Sequence, residues 1–144
     1  MPPSPDVRCL LLLLLISSAA CAAAEVSKTG DTVVDPEALT IQGGFGQGIN
    51  GLAFQQDAVV THRGYQYVGY YDASRRVCLA RRKLTTDEWE SITFADYHFT
   101  SNDAHNTISI GICPQDGTIH MAFDHHGHPL HYRVSRKGVA SNPV

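Results

Sequence analysis

The chain has 144 residues, 43% of them apolar and 17% charged, and a formal net charge of −3. A balance so close to neutral, with no basic stripe or patch, argues against nucleic acid and anionic membrane surfaces as partners. The length suffices for one ordinary core-burying domain, and cysteine usage is thin.

Residues 1–24 read as a signal peptide. A short polar start, Met1 to Arg8, precedes the apolar run CLLLLLLI from Cys9 to Ile16. SSAACAAAE follows, where Ala22 and Ala24 supply the small residues that cleavage before Glu25 requires. Eight apolar residues fall short of the roughly 20 that a membrane span needs. The expectation is a secreted, extracellular protein with no membrane association after cleavage. An uncleaved anchor is the alternative, and a lipoprotein site at Cys21 is a weaker one because Ser18 stands where Leu is usual. The leader carries one Asp and one Arg, so the mature charge stays at −3. Cys78 and Cys113 remain, either as one disulfide or as two buried free thiols.

Segment 25–57 is a lead-in, polar and extended to Gln42, then glycine-rich in GGFGQGINGLAFQ. Gly46, Gly48 and Gly51 fit G-x-G-x-x-G, with Asp72 beyond them, but only Leu52 to Ala58 separates them from the next β-like run. That is too short for the helix a dinucleotide's pyrophosphate requires. A glycine-rich turn entering a sheet is the better account.

Segment 58–94 reads as a first four-stranded antiparallel β-blade. AVVTH, YQYVGYYD, VCLARRKL and WESITF are short β-rich runs, with YQYVGYYD alternating at period two, separated by Arg63-Gly64, Ala73–Arg75 and TTDE. Segment 95–144 holds a connector, Ala95 to Asn106, and an incomplete second blade built from TISIGIC, TIHMAFD and LHYRVSRK. Gly64-Tyr-Gln-Tyr-Val-Gly-Tyr overlays Gly117-Thr-Ile-His-Met-Ala-Phe at an offset of about 53 residues, in the range of propeller blades. The expected fold is therefore all-β, a β-propeller of which about two blades, an N-terminal fragment, are present. Where a fourth strand should follow, the sequence reaches Asn142-Pro143-Val144. Such a piece alone should be marginal, with an exposed strand edge.

AHNTISIGICPQDGTIHMAFDHHGHPLHYRVS resembles the signature region of BNR repeat-containing proteins of the sialidase-like propeller type. YQYVGYYDASRRVCLARRKL with Trp89 resembles the blade before it. The resemblance covers roughly Gly51 to Gly138 and implies a secreted propeller of roughly seven blades that acts on or binds polysaccharide. Related ulvan lyases cut an acidic algal glycan by β-elimination. Thr85 to Trp89 is only a shortened echo of the sialidase Asp-box, and no arginine triad can be assigned, which counts against sialidase chemistry.

Six of the eight histidines fall between His105 and His131. β-Elimination needs a base for the C5 proton, a proton for the leaving oxygen and a cation for the uronate carboxylate, and imidazole suits the first two near neutral pH. His105 lies in a loop before one strand, while His125 and His126 follow the next. Antiparallel pairing brings those strand ends together, so His105 and His125 or His126 share one rim. The resemblance implies that the His of the HN pair, His105, and a second His further on, His125 or His126, line the catalytic cleft. Asn106 and Arg133 are the substrate-binding candidates. Each has a plainer alternative: Asn102, Asp103 and Asn106 as turn caps with His105 on a backbone carbonyl, and Arg133 bonded to Asp124. His120 and Tyr132 read as packing, and His62 and His98 as isolated surface residues.

No cofactor is demanded by these residues. A structural zinc on His126, His128 and His131, with Asp124 and Cys113 nearby, is the one candidate, the alternative being a hydrogen-bonded turn around Pro129. The leading functional expectation is a polysaccharide lyase acting on an acidic, uronate-containing glycan, inactive as this fragment. A non-catalytic carbohydrate-binding or scaffold propeller is the alternative. A glycoside hydrolase ranks last, for want of a convincing carboxylate pair.

Overall fold

The computed structural model describes residues 25–51 and 57–141. The leader read at residues 1–24 lies outside them, as do residues 52–56 and the closing Asn142-Pro143-Val144. The chain divides after Asp31 into an N-terminal unit and the unit that begins at Thr32, which holds all the elements below. No described helix is long and apolar enough to cross a membrane.

The fold is all-β, with two antiparallel sheets. The first contains β1 (Val59–His62), β2 (Tyr65–Tyr71), β3 (Arg76–Lys83) and β4 (Glu90–His98), in that order. The second contains β5 (Ile108–Ile112), β6 (Ile119–Phe123) and β7 (His131–Val134). Two-residue turn chemistry sets the first hairpin: His62 faces Tyr65, and Arg63 and Gly64 take φ of 46° and 81°, the left-handed pair a tight hairpin needs. At the next turn the Asp72 carboxylate accepts the Arg76 backbone N–H at 2.8 Å and its Nε–H at 2.8 Å.

Alternation decides what each face buries. Tyr67 and Tyr71 of β2 and Val77 of β3 join Ile108, Ile110, Ile119, Met121 and Phe123 in one core. The opposite face of the first sheet buries Tyr70, Cys78 and Ala80 under Val34, Ala38 and Trp89. Both thiols are free, Cys78 bonded to Thr93 and Cys113 to Gln115.

β4 runs four residues past the expected WESITF. Its pairing with β3 shifts between Arg76–His98 and Val77–Phe94. The extra residues bulge out, the strand resumes, and Tyr97 is delivered to the core. The lead-in is also less polar in effect than its composition suggests. Leu39, Ile41 and Ile49 are core residues, and the Asn50 side chain copies a strand edge. Its amide donates to the carbonyls of Leu39 (3.2 Å) and Tyr71 (2.8 Å), and its oxygen accepts the Tyr71 N–H at 2.9 Å.

The two sheets pack closely at Gly69, where an added Cβ would sit 2.5 Å from Ile108 Cγ2. Gly69→Ala is therefore expected to destabilise the fold by about 1–3 kcal/mol through overpacking. Urea unfolding of the single variant and of Gly69→Ala/Ile108→Ala tests this. The double variant should lose less than the two singles added together, and strict additivity would show that the two side chains do not compete for space.

Candidate functional site

β5 and β6 pair Ile108 with Phe123, which sets the loop before β5 beside the loop after β6. The first of these, residues 99–107, is held by Arg75, Phe45 and Tyr71. Phe99 N–H donates to Arg75 O at 2.8 Å, and Ala104 N–H donates to Phe45 O at 2.7 Å. The Arg75 guanidinium donates to Ser101 O (2.9 Å) and Asn102 Oδ1 (2.6 Å). Tyr71 Oη–H donates to Asn106 O at 2.9 Å. Gly46 permits this docking, since a Cβ there would lie 2.5 Å from Asn102 O.

Asp103 organises the loop's chemistry. Its Oδ1 accepts the His105 backbone N–H at 2.9 Å and lies 2.5 Å from His105 Nδ1. Its Oδ2 stands 3.8 Å from His126 Nε2. The two imidazoles stack with centroids 4.8 Å apart and planes at 30°. The backbone hydrogen bond from His105, then its ring, then the nearby His126 hold the Asp103 carboxyl below its ordinary pKa. Both rings remain open to solvent, His105 at 45% and His126 at 58% side-chain exposure. The Phe45 ring, itself 78% exposed, flanks His105 at 6.4 Å.

Thus the structure joins His105 to His126 and leaves His125 beside Asp124. The plainer reading of the loop is part of the same picture: Asp103 caps the turn, and His105 meets a carboxylate rather than a backbone carbonyl. Asn106, expected to bind substrate, is 0% exposed. Its Oδ1 accepts the His126 backbone N–H at 2.7 Å, and its amide donates to Ser101 Oγ (3.3 Å) and Asp103 O (3.2 Å). It is a positioning residue that ties one histidine loop to the other.

Arg133, expected to bind substrate or Asp124, pairs with neither here. It lies between the sheets, donating to Asp96 at 2.7 Å with its guanidinium over the Phe94 ring at 4.7 Å. The Asp96 carboxyl is correspondingly held below its ordinary value. The zinc trio His126, His128 and His131 does not assemble either. Among the described residues the grouping with metal-ligand proximity is Asp103, His105 and His126. His131 packs instead on Tyr97 (4.5 Å) and Phe123 (5.5 Å). His120 is half-buried and hydrogen-bonds Tyr132, which is 56% exposed rather than packed. His62 is half-buried with its Nε2 enclosed, not a surface residue.

Asp124 is 3% exposed with φ of 48°, its Oδ2 accepting the Tyr97 hydroxyl and its Oδ1 without a hydrogen bond. Burial raises its pKa, and His128, His131 and His125 oppose that rise. The folded state therefore holds this proton more tightly than the unfolded chain does. The ionised form costs stability above the ordinary carboxylate range, and the cost disappears as pH falls through the raised value. Asp124→Asn should accordingly gain about 1 kcal/mol at neutral pH and lose that gain in acid, as urea midpoints at two pH values would show. A loss at neutral pH would mean that the three histidines more than offset the burial.

The residues missed in sequence are the supports: Asp103 as partner of both imidazoles, Arg75, Asn50 and Phe45. Only Asp103 carried a local signal, the Asp-x-His spacing of a capped turn.

With this geometry in view, the comparisons with known proteins are specific. The sequence profile of the BNR repeat-containing family matches residues 65–143, and the chain belongs to that family. Among curated proteins, it is 36% identical over 81 residues to the long isoform of ulvan lyase from Alteromonas sp. (strain LOR). It is 35% identical over 81 residues to those from Glaciecola sp. (strain KUL10) and Pseudoalteromonas sp. (strain PLSV). Each alignment covers 50% of this chain and 8% of the relative, so the chain spans a small part of their length. Among solved structures it is similar in fold to the polysaccharide lyase Uly1, with a TM-score of 0.55 and 24% identity over 72% of this chain and 27% of that one.

Proposed function

We propose that this protein acts on polysaccharide and that its histidine rim takes part in β-elimination on a uronate-containing glycan. The observation that carries the reading is the His105–His126 stack on one carboxylate, 4.8 Å between centroids, in a chain akin to proteins named ulvan lyase. One neutral imidazole removes the proton at C5. The electron pair released forms the C4–C5 double bond, the C4–O bond breaks, and the leaving oxygen takes a proton from the second imidazole or from water. Asp103 fixes the His105 ring orientation, as a general base requires. Phe45 offers an apolar flank on which the C–H face of a sugar can lie. Arg133 is committed to Asp96, so this reading assigns the carboxylate-neutralising cation to groups other than the described site. Secretion, expected from the leader, belongs to the same proposal.

The exposed Phe45 beside an open histidine pair also suits a module that binds glycan without cleaving it. Incubating the full-length protein with ulvan or another uronate glycan separates the readings. Lyase action gives the ultraviolet absorbance of an unsaturated uronate, whereas a binding module retains glycan in pull-down without it. Reducing ends formed without the chromophore would instead mark a hydrolase and overturn the elimination reading.

A further inference from the structure

We propose that Asp103, His105 and His126 form a binding site for a zinc-class divalent cation, and that occupancy withdraws both imidazoles from acid–base use. The first half stands on geometry alone, while the second rests on the elimination reading above.

Each of the three residues presents one donor atom, and the donors lie within 4.8 Å of one another. Two imidazole nitrogens and one carboxylate oxygen are a donor set that zinc accepts, with a further position left for water. Bonds of about 2.0–2.2 Å to such an ion need donors a little closer together than this. The side chains that must close in are partly exposed and have room to turn, at 45% for His105, 58% for His126 and 31% for Asp103.

Their backbones, in contrast, are already fixed. Asp103 Oδ1 holds the His105 N–H, Asn106 Oδ1 holds the His126 N–H at 2.7 Å, and Phe45 O holds the Ala104 N–H at 2.7 Å. Little ordering remains to oppose binding. Of the histidines first expected to hold zinc, only His126 belongs to this group; His128 and His131 do not.

The test uses full-length protein stripped with chelator and titrated with cobalt(II), whose visible bands report nitrogen and oxygen ligation without any glycan present. One equivalent should saturate the signal, and zinc should displace it. His105→Ala, His126→Ala and Asp103→Asn should each weaken binding at least about 10-fold, with circular dichroism unchanged. His128→Ala and His131→Ala should bind as the wild type does. Undiminished binding in His105→Ala and His126→Ala, or loss in His128→Ala, would overturn the site. So would thiolate-to-cobalt charge transfer, which would place the ion on Cys78 or Cys113. In a parallel assay, zinc should suppress elimination and chelator should restore it. Metal binding with no elimination by stripped protein would sink the lyase reading and leave the site standing. Elimination undiminished at saturating zinc would sink the gating.

Discussion

On the elimination proposed above, replacing His105 by Ala should lower the rate of unsaturated uronate formation by roughly 10²–10⁴-fold, the usual contribution of one general acid or base. Stability should change by no more than about 0.5 kcal/mol, as is common for exposed positions. The ring is 45% exposed and sits at the loop surface, whereas the loop itself is held by Phe99, Ala104 and Asn106, which the substitution leaves in place. The assay should use chelator-stripped full-length protein, so that loss of a bound ion is not mistaken for loss of a base. A rate within a few-fold of wild type, with the same melting temperature, would remove His105 from the chemistry. His126→Ala should fall by a similar factor, and the double variant by little more than either single, because a paired acid and base act as a unit.

The largest effect on stability is expected at Asn106. Asn106→Ala removes the acceptor of the His126 N–H and both amide donations to the loop, at 2.7, 3.3 and 3.2 Å, and opens a small void at a fully buried position. Unpaired polar groups and a cavity together predict a loss of about 2–4 kcal/mol. The urea midpoint should drop with an unchanged slope. The ring signals of His105 and His126, whose rings stack in the wild type, should move toward those of independent surface imidazoles. A change below about 0.5 kcal/mol would show that the bridge between the loops is dispensable. On the elimination proposed above, glycan turnover should fall in the same variant through kcat rather than KM, since Asn106 is fully buried.

These expectations depend on contacts that were legible in sequence to different degrees. Period-two alternation and turn chemistry locate the strands, because both act through neighbours in the chain. The end of β4 was not legible. The bulge that carries it on to His98 answers to the partner strand β3, and ADYH alone does not reveal it. Nor was the burial of Ile41 and Ile49, which lie among polar residues and glycines and become core only when Asn50 pins them to β2. The meeting of His105 with His126 follows from antiparallel geometry, since the start of one strand adjoins the end of the next. The partners of Arg133 and His131 do not follow from it. Arg133 finds Asp96 across the gap between sheets, and His131 packs on Tyr97 and Phe123. Spacing along the chain encodes neither.

The carbonyl of Phe45 seats Ala104, next to His105, from a segment that precedes β1. A recombination boundary drawn between that segment and the first sheet would therefore separate the histidine pair from part of its own scaffold. Chimaeras exchanging blades between relatives should keep the lead-in with the loop before β5, as one inherited unit, even though β1 to β4 lie between them in the chain.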